Sequence, residues 1–408
     1  MATQIFTHIS SLAGIAQSKG FLRGSQLAHL SSIENAYLII EDNIISDFGK
    51  MENCKFKGEQ LSKQTIVLPA WCDSHTHLVF AGSREGEFID KINGLSYAEI
   101  ASKGGGILNS AKKLNETSEE DLFNQAWKRL TEVSKLGTGA IEIKSGYGLS
   151  LEGELKMLRV IKKLKEKSAV EIKSTFLGAH TYPLEFKENH QGYIDLIIQQ
   201  MLPIIAEEKL ADYIDVFCEE GFFSPEEMKT ICEAGKSFGL IPKLHVNQLN
   251  SIGGIEAGIE LGALSMDHLE TLTEKDVALL GKYQGAATLL PSAAFFLRMP
   301  LQPARSLINS GAAVTLASDY NPGSSPSGNM NFVLALSCIQ MKMLPEEAIN
   351  AATINGACAM QIDKDYGDVS IGKKANLIFT KPVPSLAYLP YSFGSNLIDK
   401  VMIQGNFI

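Results

Sequence analysis

No apolar run in the chain reaches the ~18 residues that a membrane span requires, so no membrane partner is expected. Positive charge is also scarce. Lys and Arg number 37 against 46 Asp and Glu, a net charge of −9, and nucleic acid, whose phosphates call for a basic stripe, is not an expected partner. Cysteine is sparse and scattered. Cys54, Cys72, Cys218, Cys232, Cys338 and Cys358 include no CxxC pair and read as reduced core thiols, not as a disulfide frame or zinc knuckle. The opening "MATQIFTHISSLAGIAQ" lacks the basic segment and apolar core of a secretory leader. A cytoplasmic enzyme acting on a small molecule is therefore the expectation. Apolar residues are not lacking: they make up 45% of 408 residues, enough for one large α/β domain with a smaller companion.

Histidine is the residue whose placement is informative. There are 8, and two of them end an apolar run in "LPAWCDSHTHLVFAGSREGEF", Leu68 to Phe88. Positions i and i+2 of a strand share one face, so His75 and His77 point the same way. Two hydrogen-bonded histidines at a strand end would look identical, and the pair alone decides nothing.

The rest of the chain supplies context. Ala36–Gly49 reads as a hairpin turning near Asp42-Asn43. Gly367–Lys381 reads as a turn-rich strand pair, and "NLIDKVMIQGNFI" as a hairpin turning at Gln404-Gly405-Asn406. Neither end has enough apolar strand for a core of its own, so residues 1–65 and 366–408 are expected to form one small β-sandwich around a main domain of residues 66–365. Within that domain apolar strands alternate with helical segments, the signature of βα units. Eight strands are expected: one running from Ile66 to His77, then Gly139–Gly148, Lys173–Thr181, Asp212–Gly221, Pro242–Gln248, Leu264–Glu270, Ala286–Ser292 and Ala313–Asn321. Ser118 and Ser224 are suited to N-cap helices, and Gly137 and Gly239 to stop them. The fold class is α/β, a (β/α)8 barrel.

Catalytic groups in such barrels gather where strands end. Five histidines fall there: His75, His77, His180, His245 and His268, with Asp319 closing the eighth strand. His8, His29 and His190 lie in terminal or loop segments and are expected to face solvent. Neutral imidazoles and a carboxylate, with one position left for water, form a site for zinc or ferrous iron. Such an ion lowers the pKa of water and polarises a carbonyl. A carboxylate can then accept the water's proton, and an imidazole can steady the developing oxyanion.

These residues resemble the amidohydrolase superfamily, with HxH on the first strand, His on the fifth and sixth, and Asp on the eighth. By resemblance to its mononuclear members, His75, His77, His245 and Asp319 would bind one metal ion, Zn²⁺ or Fe²⁺, and His268 would assist the water. Binuclear members add a bridging Lys or Glu on strand four. That strand ends here in Glu219-Glu220 without lysine, so one metal is expected, with Glu219 the candidate for a second. Lys144, on strand two, reads as structural.

The chain more narrowly resembles the imidazolonepropionase family, nearly end to end. The carriers are "SHTHLVFAGSREGEF", "GGGI" (Gly104–Ile107), "EIKSGYGL" (Glu142–Leu149), "FLGAHTYPLEF" (Phe176–Phe186), "DVFCEEGFFS" (Asp215–Ser224), "MDHLE", "LLPSAAFFLR" (Leu289–Arg298) and "ASDYNPGSSP" (Ala317–Pro326). The resemblance implies opening of a lactam ring that bears a propionate tail, and a homodimer. By resemblance, Arg84, Tyr147, His180, Asn321, Gly323 and Ser324 bind the substrate or its product. Arg84 suits the carboxylate as a bidentate donor, or else pairs with Glu85 or Glu87. The N–H groups of Gly323 and Ser324, just before an expected helix, offer an anion or carbonyl site, or else a plain turn. Related mononuclear deaminases, and some imidazolonepropionases, carry a proton-shuttling glutamate three residues after the fifth-strand histidine. Gln248 stands there and cannot act as a general base. It is cast as an orienting contact, with proton transfer left to Asp319 and His268. That counts against the alternative of a purine or pyrimidine aminohydrolase; a metal-free barrel scaffold is the other alternative.

Overall fold

All eight expected barrel strands form. The computed structural model describes residues 3–15, 20–95 and 105–408; Gly104, which opens the "GGGI" segment, lies outside them. The barrel strands are Trp71–Asp73, Thr138–Lys144, Glu171–Ala179, Tyr213–Cys218, Ile241–Val246, Ser265–His268, Ala286–Leu289 and Ala313–Leu316, parallel neighbours in that order. Almost every residue in them is buried, as apolar runs covered by helices on one side and packed side chains on the other must be. The ring closes at its functional rim: Thr76 bridges Tyr320 in parallel. Asp319 N–H donates to His75 O at 3.0 Å and His77 N–H to Tyr320 O at 2.9 Å.

The first strand differs from expectation. The run from Ile66 to His77 is divided between two sheets. Ile66–Pro69 pairs antiparallel with Leu377–Thr380 and parallel with Thr3–Ala13 in the sheet built from the two termini, whereas Trp71–Asp73 pairs with the second barrel strand. Pro69 has no N–H to give, and the chain changes partners beside it: Ala70 N–H goes to Asn376 O and Trp71 N–H to Gly137 O.

Both chain ends join one hydrogen-bonded sheet, ordered Asn406–Phe407, Ile398–Ile403, Leu377–Thr380, Ile66–Pro69, Thr3–Ala13, Ser32–Glu41, Ile44–Lys50, with Glu59–Gln60 beside Thr3–Ala13. Phe6, Leu38, Val67, Leu377 and Met402 are part of a core distinct from that of the barrel. The hairpin turns sit where expected. Asp42 and Asn43 have φ of 49° and 71°, Gln404 and Gly405 45° and 73°, the paired positive values that a tight two-residue turn demands. Within Gly367–Lys381 only Leu377–Thr380 is a strand. The preceding residues stay in turns because Val369 N–H caps Gly14 O and Gly372 N–H caps Ile45 O, tying them crosswise between strands.

Helix boundaries follow their caps. Ser118 Oγ accepts from Asp121 N–H at the start of Glu119–Lys135. Ser224 forms a full capping box with Glu227 at the start of Pro225–Ser237. Gly137 and Gly239, at φ of 101° and 85°, end the chain segments that follow these two helices. Ser224→Ala should lower stability by about 1 kcal/mol, read as a lower urea midpoint at unchanged slope; a parental midpoint would contradict the capping assignment.

Candidate metal centre

The site is assembled at the rim, from strand ends that tertiary closure brings together. His75 and His77 follow the first strand, His245 lies in the fifth, His268 ends the sixth and Asp319 follows the eighth. All five are at most 2% exposed. One nitrogen each from His75, His77 and His245 lies within 4.8 Å of the other two, and so do donor atoms of His75, His268 and Asp319; among the described residues these are the groups able to hold a metal ion. His77 Nε2 is 3.3 Å from His245 Nε2. Asp319 Oδ1 is 3.5 Å from His75 Nε2 and 3.7 Å from His77 Nε2. A tetrahedral ion with bonds of about 2.0–2.1 Å needs donors roughly 3.3 Å apart.

The far side of each ring explains its aim. His75 Nδ1 is 2.7 Å from Asp267 Oδ2, and His245 Nδ1 is 2.7 Å from Asp215 Oδ2, while Asp215 Oδ1 accepts the His245 backbone N–H at 3.0 Å. His77 Nδ1 faces the Ser145 carbonyl at 3.4 Å. With Nδ1 as donor, each Nε2 turns its lone pair to the common centre. His75 Nε2 is buried with no hydrogen-bond partner, a costly state for a polar atom that a cation would relieve. Burial, reinforced by neighbouring positive groups, holds His75, His77 and His245 well below the usual imidazole range. They are neutral donors. Burial pushes the Asp319 carboxyl up to about 7. His268 goes the other way: burial lowers it, but Glu270, 3.4 Å from Nδ1, and Asp319 outweigh that and raise it. The residues present therefore fit a divalent ion of the N,O-preferring kind. His268 and Asp319 also hold left-handed backbone, φ of 85° and 51°, a strain typical of functional positions.

Beneath the imidazoles lies a buried charge layer. Lys144 Nζ contacts Glu142 Oε1 at 2.8 Å, Asp215 Oδ2 at 2.9 Å and Asp267 Oδ2 at 3.5 Å; Lys243 Nζ meets Glu142 Oε2 at 2.6 Å. All five side chains are fully or almost fully buried. Sequence reading made Lys144 structural but missed Glu142, Asp215, Lys243 and Asp267. Their signal was there: charged residues inside otherwise apolar strand runs, as in "AIEIK" and "YIDVF".

The remaining expected residues are placed as follows. His180 stacks on His77, ring centres 5.3 Å apart and 16° from parallel, and Tyr147 lies edge-on to both, at 5.8 Å from His77 and 5.4 Å from His180. Gln248 is half-buried just past the fifth strand, its backbone carbonyl accepting from the Thr271 hydroxyl at 3.4 Å. Arg84 takes the ion-pair alternative, with Nε and Nη2 bound to Glu87 Oε2 at 2.9 and 2.6 Å. Its Nη1 also packs so close to Gly323 that a β-carbon there would collide with it. The loops after strands one and eight thus meet at Arg84.

Two expectations need correction. The Gly323 and Ser324 N–H groups are not open donors: both give their hydrogens to Asn321 Oδ1 at 2.8 Å, an Asx turn. The next helix begins only at Met330 and is capped by Asn329. Asn321 Nδ2 in turn donates to Asp319 O, and Ser324 Oγ lies 3.4 Å from Asp319 Oδ2, so this loop wraps the carboxylate. Glu219 is turned from the metal group; its two oxygens accept Glu220 N–H and Leu249 N–H and brace the rim loops. His8, His29 and His190 are exposed, as expected.

Fold and donor set define a class: a metal-dependent hydrolase built on the amidohydrolase barrel. The amidohydrolase family pattern matches residues 219–408. The imidazolonepropionase of Flavobacterium johnsoniae is 59% identical over 388 residues, 94% of each chain. That of Christiangramia forsetii is 53% identical over 410 residues and covers both chains fully. Among solved structures, E. coli guanine deaminase matches with a TM-score of 0.72 over 100% of this chain and 99% of its own, at 13% identity. An adenosine deaminase from Xanthomonas campestris with bound zinc matches at 0.68 over 99% and 92%, also at 13%. Those two likenesses are of fold alone. The chain belongs to the imidazolonepropionase family.

Lys144→Met should destabilise the protein by about 3–5 kcal/mol, because it strands buried carboxylates without their cation. Denaturant unfolding measures this; an unchanged midpoint would show that the charge layer is not held by Lys144.

Proposed function

We propose that this chain hydrolyses the cyclic amide of 4-imidazolone-5-propanoate to N-formimidoyl-L-glutamate, with His75, His77, His245 and Asp319 as the ligands of one ion. The observation that carries the reading is the convergence of three Nε2 lone pairs and Asp319 on one buried centre, with the His75 nitrogen otherwise unpartnered. The ion, zinc or ferrous iron by its N,O ligand set, would supply Lewis acidity toward water and the ring carbonyl. The protein's own groups do the rest. Asp319, whose carboxyl is shifted toward neutrality by burial, accepts a proton from the attacking water. The water oxygen bonds to the ring carbonyl carbon, the lactam C–N bond breaks, and the proton passes to the departing nitrogen. His268, held by Glu270, faces the same centre and steadies the charge that develops on the carbonyl oxygen.

Binding falls to the groups at the mouth. His180 and Tyr147 border the metal group and present polar atoms to a planar ring. Gln248, an amide that both donates and accepts, orients it. Arg84, by exchanging Glu87 for the substrate's tail, holds the propionate. Asn321, Gly323 and Ser324 form the turn that frames Asp319 beside Arg84.

Asp319→Asn should abolish metal binding or nearly all turnover, followed by elemental analysis and by loss of imidazolone absorbance. Full activity in that variant would sink the mechanism, and release of ammonia from a purine or pyrimidine would favour an aminohydrolase instead. Arg84→Ala should raise KM about tenfold or more, as expected for loss of a charge-assisted pair worth roughly 1.5–3 kcal/mol, with little change in kcat. An unchanged KM removes Arg84 from the carboxylate role.

A further inference from the structure

The loop Ser145–Leu149 touches three site residues at once. Its Ser145 carbonyl faces His77 Nδ1 at 3.4 Å, its Gly146 carbonyl faces His180 Nδ1 at 3.0 Å, and it carries Tyr147. Two consecutive carbonyls thus receive a stacked pair of imidazoles. A carbonyl only accepts, so both rings must hold their proton on Nδ1 and turn Nε2 outward. What shapes the loop is one side chain from the following helix, Leu151–Lys167. Glu154 is fully buried. Its Oε2 accepts Gly146 N–H at 3.0 Å, and its Oε1 accepts Gly148 N–H at 2.7 Å and Leu149 N–H at 3.0 Å.

An acidic residue in the first turn of a helix ordinarily faces water and complements the helix dipole. This one keeps the favourable end of the dipole but is shut off from water. It is buried among donors of a loop that has almost no freedom: a β-carbon on Gly148 would overlap Gly153, and one on Gly146, at φ of 109°, would press on His180 Nδ1. Leu149 is held at a φ of 49°, a conformation that a bulky residue keeps only when something else enforces it. Asn115 Nδ2 ties the Gly148 carbonyl from outside at 2.9 Å.

We propose that Glu154 is a positioning residue for the reaction: by gathering the loop's N–H groups it aims the Ser145 and Gly146 carbonyls, and so sets the tautomer and direction of His77 and His180 and the seat of Tyr147. It touches neither metal nor substrate and acts through the loop. The role rests on the reaction proposed above.

The test uses the metal-loaded full chain carrying Glu154→Gln, which keeps the shape but sets an NH₂ group against backbone donors. Its kcat/KM should fall about ten- to hundredfold, the usual cost of losing a partner that orients a metal-site imidazole. Histidine-selective ¹⁵N spectra should show Nδ1–H tautomers for His77 and His180 in the parent and a changed state for at least one in the variant. Glu154→Asp keeps the charge but withdraws it by one methylene; it should fall between the two and decides the matter where Glu154→Gln does not fold. Parental kcat/KM, or imidazole spectra that do not move, overturns the proposal. A parent that leaves the imidazolone ring intact would overturn the reaction instead, while the spectra still report on Glu154.

Discussion

The ammonium of Lys144, fully buried below the rim, is the interaction on which the site depends. Three carboxylates from three strands share it, and two of these, Asp215 and Asp267, are the groups that orient His245 and His75. Burial alone would neutralise such carboxylates. Burial does push Asp215 up to about 6 against the pull of Lys144, while for Asp267 Lys144 and Lys243 overcome burial and lower it. A cation in the barrel interior thereby keeps negative charge behind two imidazoles, which makes their Nε2 lone pairs better donors. The cost of burying the layer is met by its own pairing, and its product is a rigid donor set.

Barrel closure is the second constraint. Because the first and eighth strands meet through His75 O and Tyr320 O, the two histidines of "HTH" and Asp319 are not merely near one another; the same hydrogen bonds that close the ring set their spacing. Loops complete the arrangement from above. Asn321 binds the turn after Asp319, Arg84 packs on Gly323, and the Glu154-centred loop reaches His77 and His180 from the second strand. Above the charge layer, preorganisation is carried by backbone donors and carbonyls; below it, by side-chain pairs.

Much of this was legible along the chain. Eight apolar runs with capped helices between them identified the barrel, and five histidines with Asp319 fell at strand ends by simple counting. The failures have local physical causes. Pro69 moved the first half of one run into another sheet, which an apolar pattern does not register. Gly323 and Ser324 looked like free N–H donors because an Asx turn is made by a side chain whose direction no spacing rule supplies. Glu219, kept only as the candidate for a second ion, spends its oxygens on loop amides.

The sequence by itself determined the strand and helix succession, the gathering of histidines and Asp319 at strand ends and the family, since these reside in local periodicity and in ordered motifs. Only the tertiary structure decided which nitrogen of each histidine faces the centre, and that Lys144, Asp215, Asp267 and Glu154 stand behind them. The reason is physical. Tautomer and aim are set by hydrogen-bond partners that come from other strands, 30 residues away for Asp215 and His245 and 192 for His75 and Asp267, and no local pattern carries that pairing. The "HTH" spacing puts two imidazoles on one face; the carbonyl of Ser145 and the carboxylate of Asp267 decide how they point.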